Sequence, residues 1–514
     1  MFSKTILTLM LVAALAGCAP AAPATTPGRV DAEQWDQFAA ELESLRQQMK
    51  IPGMSAAVVK DGQLVWARGF GFADVENGIP AAPETPYHLA SVTKPFAALV
   101  IMQLVQDGRL SLDDPVSRYG VDLPEGDKVL VRHLMSHTSE GTPGQDYQYN
   151  GNRYALLSQV IQAATGRSFQ EWLFERILQP LGLEETTPTP SGCTGLPFAP
   201  TCERVYKAIA KPYQLDENLS FVPGYYQTNF NAGAGLISTV TDLAKLDAAL
   251  DANTLVTAAS KELMFTPTVS NSGNDLPYGL GWFTQQYRGN RVIWHYGQWP
   301  PSISSLFLKF PDEGLTFIVL ANTDGLSAPF QLGNGDFTTS LMALAFYKHF
   351  VLAPRYGQSF PTIDWSGNDS TVLELIKQVQ DEAVRDLLAK EWYSRRLVVK
   401  SLATAQLQAR TLADKRARAR KLAESMDSKI LDAYAGEYLV EQHGITLSVL
   451  RVEKRLLIQQ GDETPGELLP LSETRFFIVV GINIYEVEFT FDKTNQVTGM
   501  VLTVYGQSFT AMRK

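Results

Sequence analysis

Hydrophobic and polar positions divide the chain into three blocks. From about Trp35 to Tyr356, strand-like runs lie at both ends and helical periodicities fill the middle. Met54 to Lys60 and Gln63 to Ala67 are β-rich runs separated by Asp61-Gly62, which predicts a hairpin through a tight primed turn. Arg291 to His295, Ser304 to Lys309 and Leu315 to Ala321 form a second antiparallel group, with Pro311 to Gly314 as a turn. Pro95 to Gln106, Tyr154 to Ala164, Phe169 to Leu178 and Thr241 to Leu250 carry apolar residues at i, i+3 and i+4, the spacing of one helix face. One sheet built from the two ends of this block is the expected result. Residues 364–428 change to a long, charged, glycine-poor helical linker. Residues 430–514 then alternate at short intervals: Thr446 to Val452, Leu456 to Gln459, Arg475 to Val480, Ile484 to Phe491, Val497 to Val504 and Ser508 to Met512 predict a small all-β barrel or sandwich. The fold class expected is α+β.

The 514 residues are 45% hydrophobic, enough to support packed cores, and a formal net charge of -10 argues against a nucleic-acid binder, which needs a dominant basic face. Arg410, Lys415, Arg416, Arg418, Arg420 and Lys421 make a local basic run, read as a solvated helix face. At the start, Lys4, the apolar run Ile6 to Leu15 and Leu15-Ala16-Gly17-Cys18 form a signal-peptide pattern too short to span a bilayer. The tetrapeptide resembles the lipobox of bacterial lipoproteins. That resemblance implies removal of residues 1–17, lipid attachment at Cys18 and a tether over residues 18–34, in the cell envelope facing the periplasm. Ala19 after the cysteine resembles outer-membrane sorting; a plain secretion signal is the alternative. Cys193 and Cys202 remain as a pair able to form a disulfide in an oxidising compartment, with two free thiols as the other reading.

Chemistry concentrates in the first block. Ser91-Val-Thr-Lys94 leads into an apolar helical run, and i, i+3 side chains share a helix face, so the Lys94 amine can reach the Ser91 hydroxyl. A lysine desolvated by apolar neighbours loses its proton more readily and can activate serine for acyl transfer. Alone, Ser-x-x-Lys is a weak signal. It is accompanied, in order, by Ile51-Pro-Gly-Met54, Gly69-Phe-Gly71, Asp107-Gly-Arg-Leu-Ser-Leu-Asp-Asp-Pro115, His133-Leu-Met-Ser-His-Thr-Ser139, Pro180-Leu-Gly182, Gly233-Ala-Gly-Leu-Ile-Ser-Thr239 and Tyr278-Gly-Leu-Gly281. Together these closely resemble the class C serine β-lactamase and penicillin-recognising hydrolase family. The resemblance covers about residues 35 to 350. It implies a β-lactamase/transpeptidase-like antiparallel sheet flanked by helices, a helical subdomain and an acyl-serine mechanism.

Two further motifs carry over with departures. The family's Tyr-x-Asn falls on Tyr149-Asn150-Gly151, whose tyrosine resembles a proton shuttle; glycine replaces the amide-recognising asparagine unless Asn150 or Asn152 substitutes for it. Lys-Thr-Gly corresponds to His295-Tyr296-Gly297, so an imidazole replaces a fixed ammonium and points to the esterase and aminopeptidase-like branches. By analogy the oxyanion donors are the N–H groups of Ser91 and Gln298, and Trp299-Pro-Pro301 narrows the pocket. His295 is expected to orient substrate or tyrosine. His133 and His137 have helical i, i+4 spacing but read as packing in a family segment, and Asp242 as a helix cap. No metal site or cofactor is expected. The expected partner is a small-molecule or peptidoglycan-like ester or amide. An esterase or D-amino-acid peptidase or carboxypeptidase is the leading reading, with a β-lactamase and a non-catalytic penicillin-binding sensor or scaffold as alternatives.

Overall fold

The computed structural model describes residues 32–226, 228–356, 360–461, 465–480, 483–504 and 507–514. The signal segment, Cys18 and nearly all of the tether lie outside the described residues.

The first block is organised by one antiparallel sheet. In chain order its strands are β1 (Gly53–Lys60), β2 (Gln63–Asp74), β3 (Ile79–Pro80), β4 (Phe283–Tyr287), β5 (Asn290–Trp299), β6 (Ile303–Phe310) and β7 (Leu315–Ala321). Their spatial order is β3-β2-β1-β7-β6-β5-β4, so the two ends of the block meet where β1 pairs with β7. The turn after β1 is of the expected type: Asp61 and Gly62 both have positive φ, 50° and 73°.

Period-two alternation assigns the two faces of the sheet. Ala57, Val59, Ile293, Phe307 and Ile318 enter one core, while Met54, Ala56, Val58, Trp294, Leu306 and Phe317 enter the other. The first face is covered by α2 (Thr93–Gln106), buried from Thr93 to Leu104 and apolar except at Thr93, Lys94 and Gln103, and by α3 (Val240–Asp251). The second is covered by α1 (Ala32–Gln48) through Phe38, Leu42 and Leu45, and by α4 (Leu341–Phe346). One lysine sits in this packing: Lys309 on β6 is 1% exposed and reaches Asp247 and Asp251 on α3 at 2.8 Å each.

Two expected helices are cut differently from their sequence reading. Tyr154 to Ala164 resolves into Gly151–Ala155 and Leu157–Thr165, and the α-helix from Phe169 gives way to a π-helical turn over Phe174–Leu178. The linker holds two helices, Asp369–Gln378 and the 44-residue α5 (Glu382–Ser425), whose N-cap Asp381 accepts from the N–H groups of Ala383 and Val384. α5 buries Val384, Leu387, Leu388 and Val398 in the second sheet core, then places Leu412 and Ala419 against Leu469 and Phe477 of the C-terminal domain.

That domain is a closed antiparallel barrel of eight strands among the described residues: β8 (Gly436–Val440), β9 (Ile445–Val452), β10 (Arg455–Gln460), β11 (Gly466–Pro470), β12 (Arg475–Val480), β13 (Asn483–Phe491), β14 (Val497–Val504) and β15 (Gln507–Arg513). Six were expected. The first and fourth, β8 and β11, are five residues each and were missed, because they carry Gly or Pro and little alternation. Pairing of β8 with β15 closes the barrel and removes its edges. Among the described residues no helix is long and apolar enough to cross a membrane.

Candidate active site

Ser91 lies in a 3-10 turn, Ala90–Val92, that runs directly into α2. Lys94, one helical turn on, places Nζ 2.8 Å from Ser91 Oγ and donates to Gly233 O at 2.9 Å. Lys94 is 1% exposed, and with no carboxylate beside it to favour the ammonium, burial brings its amine from the ordinary lysine range down to about 7. Half of the population is then an uncharged base at neutral pH, within proton-transfer distance of the hydroxyl. The residue before the serine is strained: Ala90 holds φ +47°, a left-handed conformation costing on the order of 1 kcal/mol for a residue with a side chain. Its N–H donates to His88 Nδ1 at 3.0 Å, and burial pushes that imidazole down to about 4, so the acceptor stays unprotonated at neutral pH.

The Tyr149 ring sits against the same lysine, 5.0 Å from Nζ to its centroid, with Tyr154 at 5.4 Å. Its hydroxyl is buried without a hydrogen bond of good geometry; neighbouring Ser91 favours its ionised form, but burial outweighs this and keeps the phenol protonated well above its ordinary range. Tyr149 can therefore relay a proton, while the resting base is Lys94. The loop that carries it is held by His137, whose ring lies 4.3 Å from that of Tyr149 and whose Nδ1 accepts from Asn150 N–H at 3.1 Å.

Asn150 is not free to read a substrate amide. It caps the helix Gly151–Ala155, its Oδ1 accepting from the N–H groups of Asn152 and Arg153, while Nδ2 donates to Glu140 at 3.0 Å. The helix begins three residues earlier than its apolar pattern indicates, which turns Asn150 from a candidate contact into a cap. Asn152 lies exposed in the first turn of that helix. A Cβ added to Gly151 would stand 3.9 Å from Lys94 Nζ and meet nothing else within 4 Å, so a side chain at this position would begin beside the lysine; glycine supplies none.

His295 sits on β5, completely buried. Its Nδ1 is 2.6 Å from Tyr296 O, which can only accept, and its Nε2 is 2.8 Å from Tyr278 Oη. Burial and the nearby Lys94 push the imidazole well below its ordinary range. The neutral tautomer therefore carries its proton on Nδ1 and accepts from Tyr278, and neither nitrogen is left to hold a substrate carboxylate. The expected substrate-orienting role narrows to positioning within the aromatic set of Tyr149 and Tyr278, with ring centroids 6.3 and 5.8 Å away. Beyond it, β5 passes the serine turn at backbone contact: a Cβ on Gly297 would fall 2.1 Å from Leu89 O and 2.3 Å from Ser305 Oγ. Only glycine lets the strand approach this closely, and the approach sets Gly297, the neighbour of Gln298, against Leu89 and Ala90, the residues that lead into Ser91. Behind Gln298, whose side chain hydrogen-bonds it, the carboxyl of Asp324 is pushed up to about 7 by burial.

Sequence reasoning had placed Ser91, Lys94, Tyr149 and the His295–Gln298 segment in one site, and the fold brings these together. It had not identified His88, Gly233 O, Tyr278 or Asp324. Their motifs are visible, but the contacts of Gly233, Tyr278 and Asp324 cross many residues of sequence, 139 from Lys94 to Gly233, and have no local signature; that of His88 with Ala90 is local but depends on the left-handed backbone at Ala90. Cys193 and Cys202 form a disulfide, Sγ–Sγ 2.06 Å, that ties Cys193 to the helix Ala199–Lys207, of which Cys202 is part. Among the described residues no group of three or more His, Cys, Asp or Glu is placed to hold a metal; His133 Nδ1 accepts from Leu130 N–H and His137 is used as above.

Known proteins resemble this chain in sequence and in fold. The Beta-lactamase family model matches residues 38–335, and a second, a domain of unknown function, matches residues 420–512 over the end of α5 and the barrel. Penicillin-binding protein 4* of Bacillus subtilis is 25% identical over 492 residues, covering 87% of this chain and 92% of its own. Among solved structures, the octameric penicillin-binding protein homologue from Pyrococcus abyssi superimposes with a TM-score of 0.53 at 22% identity, over 93% of this chain and 99% of its own. The D-amino acid amidase from Ochrobactrum anthropi, complexed with D-phenylalanine, does so with a TM-score of 0.50 at 20% identity, over 64% and 100%. With more than half of its length matched and the serine–lysine pair in place, the chain belongs to the β-lactamase family of serine hydrolases.

Proposed function

We propose that this protein is an esterase-type member of its family, cleaving esters and activated amides of uncharged acids through an acyl-Ser91 intermediate. One observation carries the reading: the position that would hold a substrate carboxylate is His295, buried, neutral and engaged at both nitrogens, while Gly151 offers no carboxamide. An anionic amide substrate loses both anchors; an uncharged ester needs neither.

In the proposed cycle, neutral Lys94 takes the Ser91 proton as Oγ attacks the carbonyl carbon. The N–H groups of Ser91 and Gln298 stabilise the oxyanion, at roughly 3 kcal/mol per donor. The ammonium, held by Gly233 O, returns the proton through the Tyr149 hydroxyl to the leaving alkoxide as the C–O bond breaks. Water then attacks the acyl-enzyme with Lys94 again the base, releasing the carboxylic acid and regenerating Ser91. His88 and His137 position the serine turn and the tyrosine loop.

A D-amino-acid peptidase acylated by penicillin is the second reading, supported by the name of the Bacillus subtilis relative. Turnover of p-nitrophenyl acetate and of a D-alanyl-D-alanine peptide, each against Ser91→Ala, separates the two: ester turnover without peptide turnover supports the esterase, and the reverse overturns it. We further propose that residues 1–17 are removed and that Cys18 carries a lipid in the cell envelope. Cys18→Ser should then release the protein from membrane fractions, and a variant that stays bound refutes the anchor.

A further inference from the structure

Beside the serine turn lies a small apolar cluster separate from the two sheet cores. Ala90, Tyr226 and Ile303 form its buried floor, and Tyr206, Ile209 and Trp299 pack on it while remaining partly exposed. The register of β5 explains why it faces the site. Ile293 and Gly297 point to the α2 side, Trp294 and Tyr296 to the other, so Trp299 lies on the same face as Gly297, two residues beyond its contact with Leu89 and Ala90. Trp299 pairs across the hairpin with Ile303, and Tyr225 N–H donates to Ser302 Oγ at 2.8 Å, fixing the Tyr226 segment to the strand turn. Tyr206 comes from the helix Ala199–Lys207, which the Cys193–Cys202 disulfide anchors at Cys202, one turn before it.

The cluster has a defined polarity. Every basic side chain of residues 199–226 is spent elsewhere: Arg204 on Glu185 at 2.6 Å, Lys207 on Glu203 at 2.7 Å and Lys211 on Asp74 at 2.7 Å. The wall is aromatic and carries no available cation. Its side of the site is also defined. Lys94 and Tyr149 must face the leaving group to which they return the proton, whereas the wall is built on Ala90 and lies past Gln298.

Resting on the proposed hydrolase reading and deepening it, we propose that Tyr206, Tyr226 and Trp299 form the acyl-side wall of the substrate cleft, selecting aromatic or long-alkyl uncharged acyl groups and rejecting anionic ones. An aromatic acyl group gains ring contacts there that a methyl group cannot make, and a carboxylate would lose its hydration against rings with no counter-charge.

The test holds the leaving group constant. Rates for p-nitrophenyl acetate, p-nitrophenyl phenylacetate and mono-p-nitrophenyl succinate are compared in the full chain and in Trp299→Ala, Tyr206→Ala and Trp299→Phe, with thermal melting as a check of folding. The expected order of kcat/KM is phenylacetyl, acetyl, succinyl, with the first at least tenfold above the second. Each alanine variant should lower the phenylacetyl-to-acetyl ratio at least fivefold, and Trp299→Phe should recover most of it. A ratio near one in the unaltered chain, a ratio untouched by both alanine variants, or preference for succinyl would overturn the wall while leaving ester hydrolysis standing. No ester turnover and no labelling of Ser91 by a fluorophosphonate would remove the hydrolase reading and the wall with it.

Discussion

If Lys94 is the base, the rate of Ser91 acylation must follow its deprotonation. Burial brings the amine from 10.5 to about 7, a difference of roughly 3.5 units, or about 5 kcal/mol of lost preference for the ammonium. An ordinary surface lysine would be neutral in roughly one molecule in 3,000 at pH 7; this one is neutral in about half. The sign follows. Acylation falls about tenfold per pH unit below 7, is down about a hundredfold at pH 5, and levels off above about 8. The same burial costs folding stability at acid and neutral pH, and this cost is relieved as pH rises from about 7 toward 10, because over that window the unfolded chain holds the proton that the folded chain has lost. The assay is the burst or steady-state rate of p-nitrophenyl acetate hydrolysis between pH 5 and 9, corrected for spontaneous hydrolysis. Lys94→Arg, a permanent cation, should lose at least a thousandfold at every pH. A profile flat from pH 5 to 9, a break near 10, or an active Lys94→Arg would refute the assignment of the base.

Other consequences are separable. Gly151→Asn places a carboxamide oxygen beside Lys94 Nζ, which favours the ammonium, so the break in the pH profile should move upward by about one unit and the rate at pH 7 should fall several-fold; an unmoved break contradicts the geometry. Gly297→Val drives Cβ into Leu89 O and should abolish acylation even where the protein still melts cooperatively, because β5 can no longer bring Gln298 to the serine turn; a variant within tenfold of full activity would sink the proposed oxyanion site. Lys309→Ala leaves Asp247 buried without its cation and should cost about 3 to 5 kcal/mol, read by denaturant unfolding monitored on the sheet domain, whereas a loss below 1 kcal/mol would mean that water reaches the carboxylate.

How far the sequence reached depends on whether information was local. The hairpin at Asp61-Gly62 and the runs forming β6 and β7 were legible because turn chemistry and short apolar runs act over a few residues; both strands are buried at every position, so composition and length marked them rather than alternation. β4, Phe-Thr-Gln-Gln-Tyr, was not, since an edge strand with polar positions has no clear alternation. The barrel strands β8 and β11 were hidden for a similar reason, and its closure depends on the pairing of chain segments more than 70 residues apart, Tyr438 with Arg513. In the site, Ser91 and Lys94 were legible as i, i+3 neighbours. What Asn150 does was not: its amide is consumed by a helix start that shifts by three residues, a boundary effect no single-sequence periodicity resolves. His295 was found by motif, but its neutrality follows from Tyr278 and from complete burial, both tertiary facts.

The proposed chemistry stands or falls with Ser91 as a nucleophile activated by Lys94. Intact-protein mass spectrometry after exposure to a fluorophosphonate, then to p-nitrophenyl acetate, with Ser91→Ala as the parallel sample, tests it most directly. One stoichiometric phosphonyl adduct mapping to Ser91 is expected, with loss of ester turnover in step with labelling, and neither adduct nor turnover in Ser91→Ala. An adduct on another residue, or ester turnover retained by Ser91→Ala, would contradict it.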